Sequence, residues 1–152
     1  MFSRHPVPQF GPMGCGISCL AYLTARDYAR ARHEFFSKVI GGDWCPCGYN
    51  GKAILRALWT ADMNWERRRF SRRCPSTKQI RHGNIIAVTM PNGYGHYLVH
   101  TPHGWMDSLD PGAEDVTFEN WLPCVTGQVR SRLPGWTLRS FFCPSEQDRC
   151  GP

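Results

Sequence analysis

The sequence predicts an α+β fold in which N-terminal helices pack on a C-terminal antiparallel β-sheet. Two observations carry that expectation. Apolar residues recur at helical spacing from Cys15 to about Met63, and short β-branched runs punctuated by Gly, Pro and Asn take over from about Asn84. A third bounds the domain count: no repeat, low-complexity tract or linker divides the 152 residues. A chain of that length suits one core, so residues 1–152 are expected to form a single domain.

The elements follow in order. Ile17, Leu20, Ala21, Leu23 and Tyr28 recur near helical spacing from Cys15 to about Ala31, and the turn-forming Gly11-Pro12-Met13-Gly14 delivers the chain into that helix. A second helical stretch runs directly on, over about 28–39, and Gly41 and Gly42 close it. Residues 44–48, Trp-Cys-Pro-Cys-Gly, read as a loop. A third helix over 51–63 carries Ile54, Leu55, Leu58 and Trp59 as one apolar stripe that belongs in the core. Residues 64–70 then read as an exposed strand, ended by the break at Cys74-Pro75-Ser76.

The β pattern begins at 84–90, turns at Pro91-Asn92-Gly93 and returns over 96–101. Pro102-His103-Gly104 turns again into a short strand ending near Leu109, and Asp110-Pro111-Gly112 stops it. Residues 118–122 form a helical turn in this reading, and 136–143 a last strand.

Composition narrows the function classes. With 41% hydrophobic and 20% charged residues the chain has the make-up of a globular protein, not a disordered one. The net charge of +6 is concentrated in Arg67, Arg68, Arg69, Arg72, Arg73, Lys78 and Arg81. The plain account of such a run is a solvated face; the sharper ones are a nucleic-acid, acidic-protein or membrane-surface contact. No apolar run is long enough for a signal peptide or a membrane span, so a cytoplasmic location without membrane contact is expected.

In a reducing compartment the eight cysteines are free thiols or metal ligands, one of them catalytic. Cys45 and Cys47 could ligate zinc with Cys74, Cys124, Cys143 or Cys150, but one intervening residue is poor zinc spacing. No metal and no cofactor is therefore expected.

The chemistry is expected at Cys15. A thiol must lose its proton to attack a carbonyl, and the unsatisfied N–H groups and macrodipole at a helix N-terminus favour the thiolate. The Cys15 N–H can also point at a developing oxyanion, and Gln9 is the upstream side-chain amide placed to complete that hole. Cys19, one turn later, reads as a small buried hydrophobe.

Gln9, five residues, then Cys15-Gly16 leading into Ile17-Ser18-Cys19-Leu20-Ala21-Tyr22-Leu23 resembles the first signature of papain-like cysteine peptidases. The closest version is that of the bacteriocin leader-processing peptidases and their small phage and bacterial relatives. Gly95-His96-Tyr97-Leu98-Val99 and Trp105-Met106-Asp107-Ser108-Leu109-Asp110-Pro111 are similar to the family's later elements, a histidine opening a strand and an aspartate ending the next. Tyr28-Ala29-Arg30-Ala31 and residues 51–59 resemble the helical insert of the small relatives, so the likeness covers most of 9–111. The resemblance implies a papain-like fold with Cys15 as nucleophile, His96 as base, Gln9 in the oxyanion hole, and a protein or peptide substrate.

Which aspartate orients His96 is a question of register. If 101–104 is the hairpin turn, Leu98 opposes Asp107 and His96 opposes Leu109. Asp107 is then a diagonal same-face neighbour of His96 at about 7–8 Å between backbones, a gap that side chains bridge. Asp110 falls on the other face. A bulge would reverse that choice, and Asp110-Pro111 also resembles the family's aspartate-proline ending. His100 and His103 compete for the base role but neither opens the strand; both read as solvated or structural.

Three functions fit these residues. The first is a hydrolase cleaving a peptide, isopeptide or other amide bond through a thioester. The second is an acyltransferase, transglutaminase or deamidase using the same Cys-His-Asp site. The third is a non-catalytic, zinc-stabilised basic binding module.

Overall fold

The computed structural model describes residues 2–10, 14–37, 44–45, 48–70, 79–90, 93–102, 104–108 and 137–148. Three helices come first: α1 (Cys15–Thr24), α2 (Tyr28–Phe36) and α3 (Gly51–Thr60). Strands β1 (Trp44–Cys45) and β2 (Gly48–Tyr49) form a small ladder before α3. Strands β3 (Trp65–Arg69), β4 (Ile85–Thr89), β5 (Gly95–Thr101), β6 (Gly104–Met106) and β7 (Thr137–Pro144) make a sheet of order β3-β7-β4-β5-β6, antiparallel at each pairing. The α+β expectation therefore holds. The expected helical turn at 118–122 lies outside the described residues, as do His103, Leu109 and Asp110.

The first helical run is shorter than its apolar periodicity suggests. α1 ends at Thr24, where Ala25 takes a left-handed φ of 53° and donates its N–H to the carbonyls of Ala21 and Tyr22. Asp27 then restarts the chain as the N-cap of α2, its carboxylate accepting from the Arg30 N–H at 2.8 Å. The cap won over the periodicity, because Asp27 satisfies a donor that a continuous helix would leave to its own backbone. Asn50 caps α3 in the same way, accepting from Ala53 N–H at 3.0 Å.

Two further expectations are corrected. Residues 44–48 are not merely loop, since Trp44 pairs with Tyr49 and Cys45 with Gly48. The α3 stripe is rotated: Ala53, Ile54, Ala57 and Leu58 are buried, while Trp59 is 54% exposed and donates its indole N–H to Trp65 O. Two alanines one turn apart give α3 a flat face for close packing, so the large indole is displaced to the rim.

The sheet buries both faces. Ile85, Val99, Met106 and Phe142 join Ile17, Leu20, Ile54 and Leu58 of the helices in one cluster. Ile86, Val88, Leu98, Trp105 and Phe141 form a second cluster with Ile80 and Cys143. Each such aliphatic or aromatic side chain contributes about 1.5–3 kcal/mol by leaving water. Cys143 is buried inside that second cluster.

β7 reaches the middle of the sheet from the far end of the chain, between β3 and β4. A polar clasp fixes its exit. Buried Asn84 accepts from Arg81 N–H and from Gln147 Nε2, both at 2.8 Å, and donates through Nδ2 to Gln147 Oε1 at 2.9 Å. Gln147 also donates to Gln79 O at 3.0 Å. Asn84→Ala leaves these groups without their partner, and we expect a loss of about 2–3 kcal/mol. The check is a lower denaturant midpoint at unchanged slope; a midpoint equal to wild type contradicts it.

Of the basic run, Arg72, Arg73 and Lys78 lie outside the described residues, and the described part is partly structural. Arg68 bonds Glu66 at 2.6 Å and Ser145 O at 3.2 Å, and Arg67 Nε donates to Ser140 Oγ at 2.9 Å. Arg67 and Arg69 are otherwise exposed on the edge strand β3, as a solvated face requires. Among the described residues, no helix is long and apolar enough to cross a membrane.

Candidate active site

α1 begins at Cys15 with Gly14 in the N-cap position (φ −93°, ψ 8°), no side-chain cap and no carboxylate in its first turn. The positive end of the helix is thus not neutralised by its own residues beside the sulfur. Gly14 has a packing reason: a Cβ there would collide with the Tyr28 hydroxyl, which donates to Phe10 O at 3.1 Å. Gly16 has one too, because a Cβ would fall 2.5 Å from Cδ1 of Ile54, so the missing side chain lets α3 press against α1. Small residues on either side of Cys15 are what allow this helix start to be buried.

His96 is the second residue of β5 and is only 3% exposed. The β5–β6 register pairs Val99 with Met106, His100 with Trp105 and Thr101 with Gly104, which is the register expected from the hairpin. It brings Asp107 to the imidazole: His96 Nε2 and Asp107 Oδ1 are 2.7 Å apart. His96 also hydrogen-bonds the Cys15 side chain.

The electrostatics follow from those two contacts. Burial disfavours the imidazolium, but the Asp107 hydrogen bond and the Cys15 contact oppose it and together raise the His96 pKa to about 10. Cys19, fully buried one turn below, is pushed the opposite way from a reactive thiol: burial, then Cys15 and Asp107, raise its pKa well above the ordinary value. Two cysteines on one helix thus have different environments, and only Cys15 meets the imidazole.

Gln9 arrives on the N-terminal segment. Its backbone N–H donates to Ser108 O at 3.4 Å, and its side-chain Oε1 accepts from Ser108 Oγ at 2.9 Å. An unbroken chain of contacts therefore links Gln9, Ser108, Asp107, His96 and Cys15, with Asp107 and Ser108 joined covalently. Neither a family model nor a curated protein matches the sequence.

Of the expected site residues, Cys15, His96 and Asp107 are brought together and Gln9 is held through Ser108, while Asp110 lies outside the described residues. Ser108 carries no sequence signal beyond its place directly after Asp107. Tyr28, at the start of α2, covers Gly14 with its ring and bounds an open cleft of about 620 Å³ with Phe10, Arg32, Phe36 and Tyr49. That volume is within the usual range for a ligand site.

No three or more His, Cys, Asp or Glu side chains among the described residues are grouped to hold a metal. Of the zinc candidates, Cys143 is buried in the sheet, and Cys47, Cys74, Cys124 and Cys150 lie outside the described residues, as does the Cys45 side chain.

His100, the competing base, is buried and not solvated. Its ring lies 4.6 Å from that of Trp105 and 5.0 Å from that of His82. Burial and His82 lower its pKa to about 4, against a backbone hydrogen bond at Arg81. A depressed folded-state value means stability that is fully present above about 6.5 and lost as the pH falls through about 4. Thermal melts should therefore drop more steeply across that window in wild type than in His100→Phe; parallel curves would contradict it.

Proposed function

We propose that this chain is a papain-like cysteine hydrolase that cleaves an amide bond, in a peptide or protein substrate, through a thioester on Cys15. The observation that carries the reading is the buried imidazole of His96, bonded to Asp107 at 2.7 Å through Nε2 and hydrogen-bonded to the Cys15 side chain. Inert cysteines and structural histidines have no need of that pairing.

The mechanism follows from the contacts. His96 takes the Cys15 proton, and the resulting imidazolium is the counter-ion that a buried thiolate requires. Asp107 holds the imidazole in one orientation and stabilises its charge without taking the proton. Sulfur attacks the carbonyl carbon, forming a C–S bond, and the carbonyl electrons move to oxygen. The Cys15 N–H and the Gln9 amide receive that oxyanion. Collapse breaks the C–N bond, His96 delivers its proton to the leaving amine, and water, deprotonated by His96, then hydrolyses the thioester to acid and free thiol.

The cleft beside Tyr28 supports a substrate longer than the scissile bond, because its aromatic walls bury apolar side chains and Arg32 attracts a carboxylate. Cleavage and acyl transfer share every step up to the thioester and differ only in whether water or an amine attacks it.

The test is acylation by p-nitrophenyl acetate, a generic ester. We expect a burst of p-nitrophenolate stoichiometric with protein and one acetyl group on the Cys15 peptide. No burst, with acetyl groups scattered over lysines, would overturn the proposal.

A further inference from the structure

Resting on that reading, we infer that Ser108 is a positioning residue for the oxyanion hole, so that the Asp107-Ser108 dipeptide sets both halves of the catalytic apparatus. A glutamine amide carries its acceptor and its donors on opposite arms of one planar group, and only the donor arm stabilises an oxyanion. An amide on a surface segment can flip. Ser108 ties one arm down: its hydroxyl donates to Gln9 Oε1 at 2.9 Å, an arrangement in which the NH₂ arm points away from Ser108. The backbone bond from Gln9 N–H to Ser108 O at 3.4 Å makes the attachment two-pointed, so the segment is held in position as well as in orientation.

The location strengthens the argument. Ser108 is 4% exposed, and a buried hydroxyl that spends its proton on a side chain ninety-nine positions away in sequence is not a solubilising group. It directly follows the residue that orients His96. A displacement of this strand end would therefore disturb the base and the oxyanion donor together, which couples two groups that must act on the same carbonyl. The hydroxyl touches no reacting atom in this arrangement; it acts through Gln9.

Two rates measured on the full chain test this. Acylation by p-nitrophenyl acetate passes through an oxyanion, whereas alkylation of Cys15 by iodoacetamide displaces iodide and forms none. Ser108→Ala should slow acylation by about tenfold and leave the alkylation rate of Cys15 unchanged, since a misaimed donor costs less than a deleted one. Ser108→Thr, which keeps the hydroxyl, should restore acylation. Gln9→Ala should slow acylation by about a hundredfold, and adding Ser108→Ala to it should cost nothing more.

Wild-type acylation in Ser108→Ala would overturn the inference, as would an equal further loss in the Gln9→Ala background. Failure of the underlying hydrolase reading looks different: wild type itself then fails to acylate at Cys15 and iodoacetamide labels its cysteines alike, which overturns both. Unchanged selective alkylation of Cys15 in Ser108→Ala also shows that the variant is folded.

Discussion

Replacing Cys15 by alanine should lower acylation and amide hydrolysis by at least about 10⁴-fold, to the background rate of ester or amide in buffer. The size follows from what is removed. Cys19 is fully buried, which pushes its thiol toward the protonated form, and Cys143 is buried inside the sheet. His96→Ala should be nearly as severe, because a thiol without its base is a poor nucleophile at neutral pH. The double variant should be no worse than either single one, since a nucleophile and its base act as a unit. Cys15 is packed between Gly14 and Gly16 on a buried helix, so alanine, smaller by one sulfur, fits with little strain and the fold should survive. Residual activity within tenfold of wild type in Cys15→Ala would exclude this cysteine as the nucleophile; tenfold is about 1.4 kcal/mol of transition-state stabilisation, far less than a nucleophile supplies.

Asp107→Asn should have the second largest effect, a fall on the order of 10² to 10⁴ in turnover, with a diagnostic shift in pH dependence. Asparagine keeps the shape but not the charge, and an amide can present its NH₂ to the imidazole and select the wrong tautomer. The His96 pKa of about 10 reflects burial pulling downward, outweighed by the Asp107 and Cys15 contacts pulling upward. Without the carboxylate it falls, so the alkaline limb of the rate profile should move to lower pH. Stability gives an independent check. A folded-state value raised above the ordinary 6.5 contributes stability that is complete below about 6.5 and lost as the pH rises through about 10. Wild type should therefore exceed Asp107→Asn most at the low end of that window, and the two should converge at its top. An alkaline limb that stays put in Asp107→Asn contradicts the pairing.

Much of this site was legible in the sequence because hairpin register is arithmetic. A turn at 101–104 fixes which residues oppose each other, and that register favours Asp107 over Asp110; the observed pairs Val99–Met106 and His100–Trp105 follow the same register. The start of α1 was legible for a similar reason, since a turn-rich segment followed by apolar residues at helical spacing leaves little choice of where the helix begins. Less legible was whatever depended on a distant partner. Apolar spacing ran through Ala25 and Asp27, whereas capping by the Asp27 carboxylate divided the helix. Trp59 belonged to the apolar stripe by periodicity, but alanines at 53 and 57 made a flatter packing face and left the indole at the rim. The central position of β7 depends on pairing with two strands far back in the chain, which no local pattern encodes. Ser108 carries no local signal because its partner is Gln9, far away in sequence, and a serine after an aspartate is ordinary in a turn.

The rate of iodoacetamide alkylation at each cysteine, mapped by peptide mass spectrometry at about pH 6, tests the central claim most directly, because a free thiol of ordinary pKa near 8.5 is almost wholly unreactive there. Proton transfer to His96 supplies the nucleophilic sulfur, so Cys15 should be labelled well ahead of every other cysteine and should lose that lead in His96→Ala. Slow labelling spread evenly over the cysteines, or a Cys15 rate indifferent to His96, would contradict the pairing on which the hydrolase reading stands.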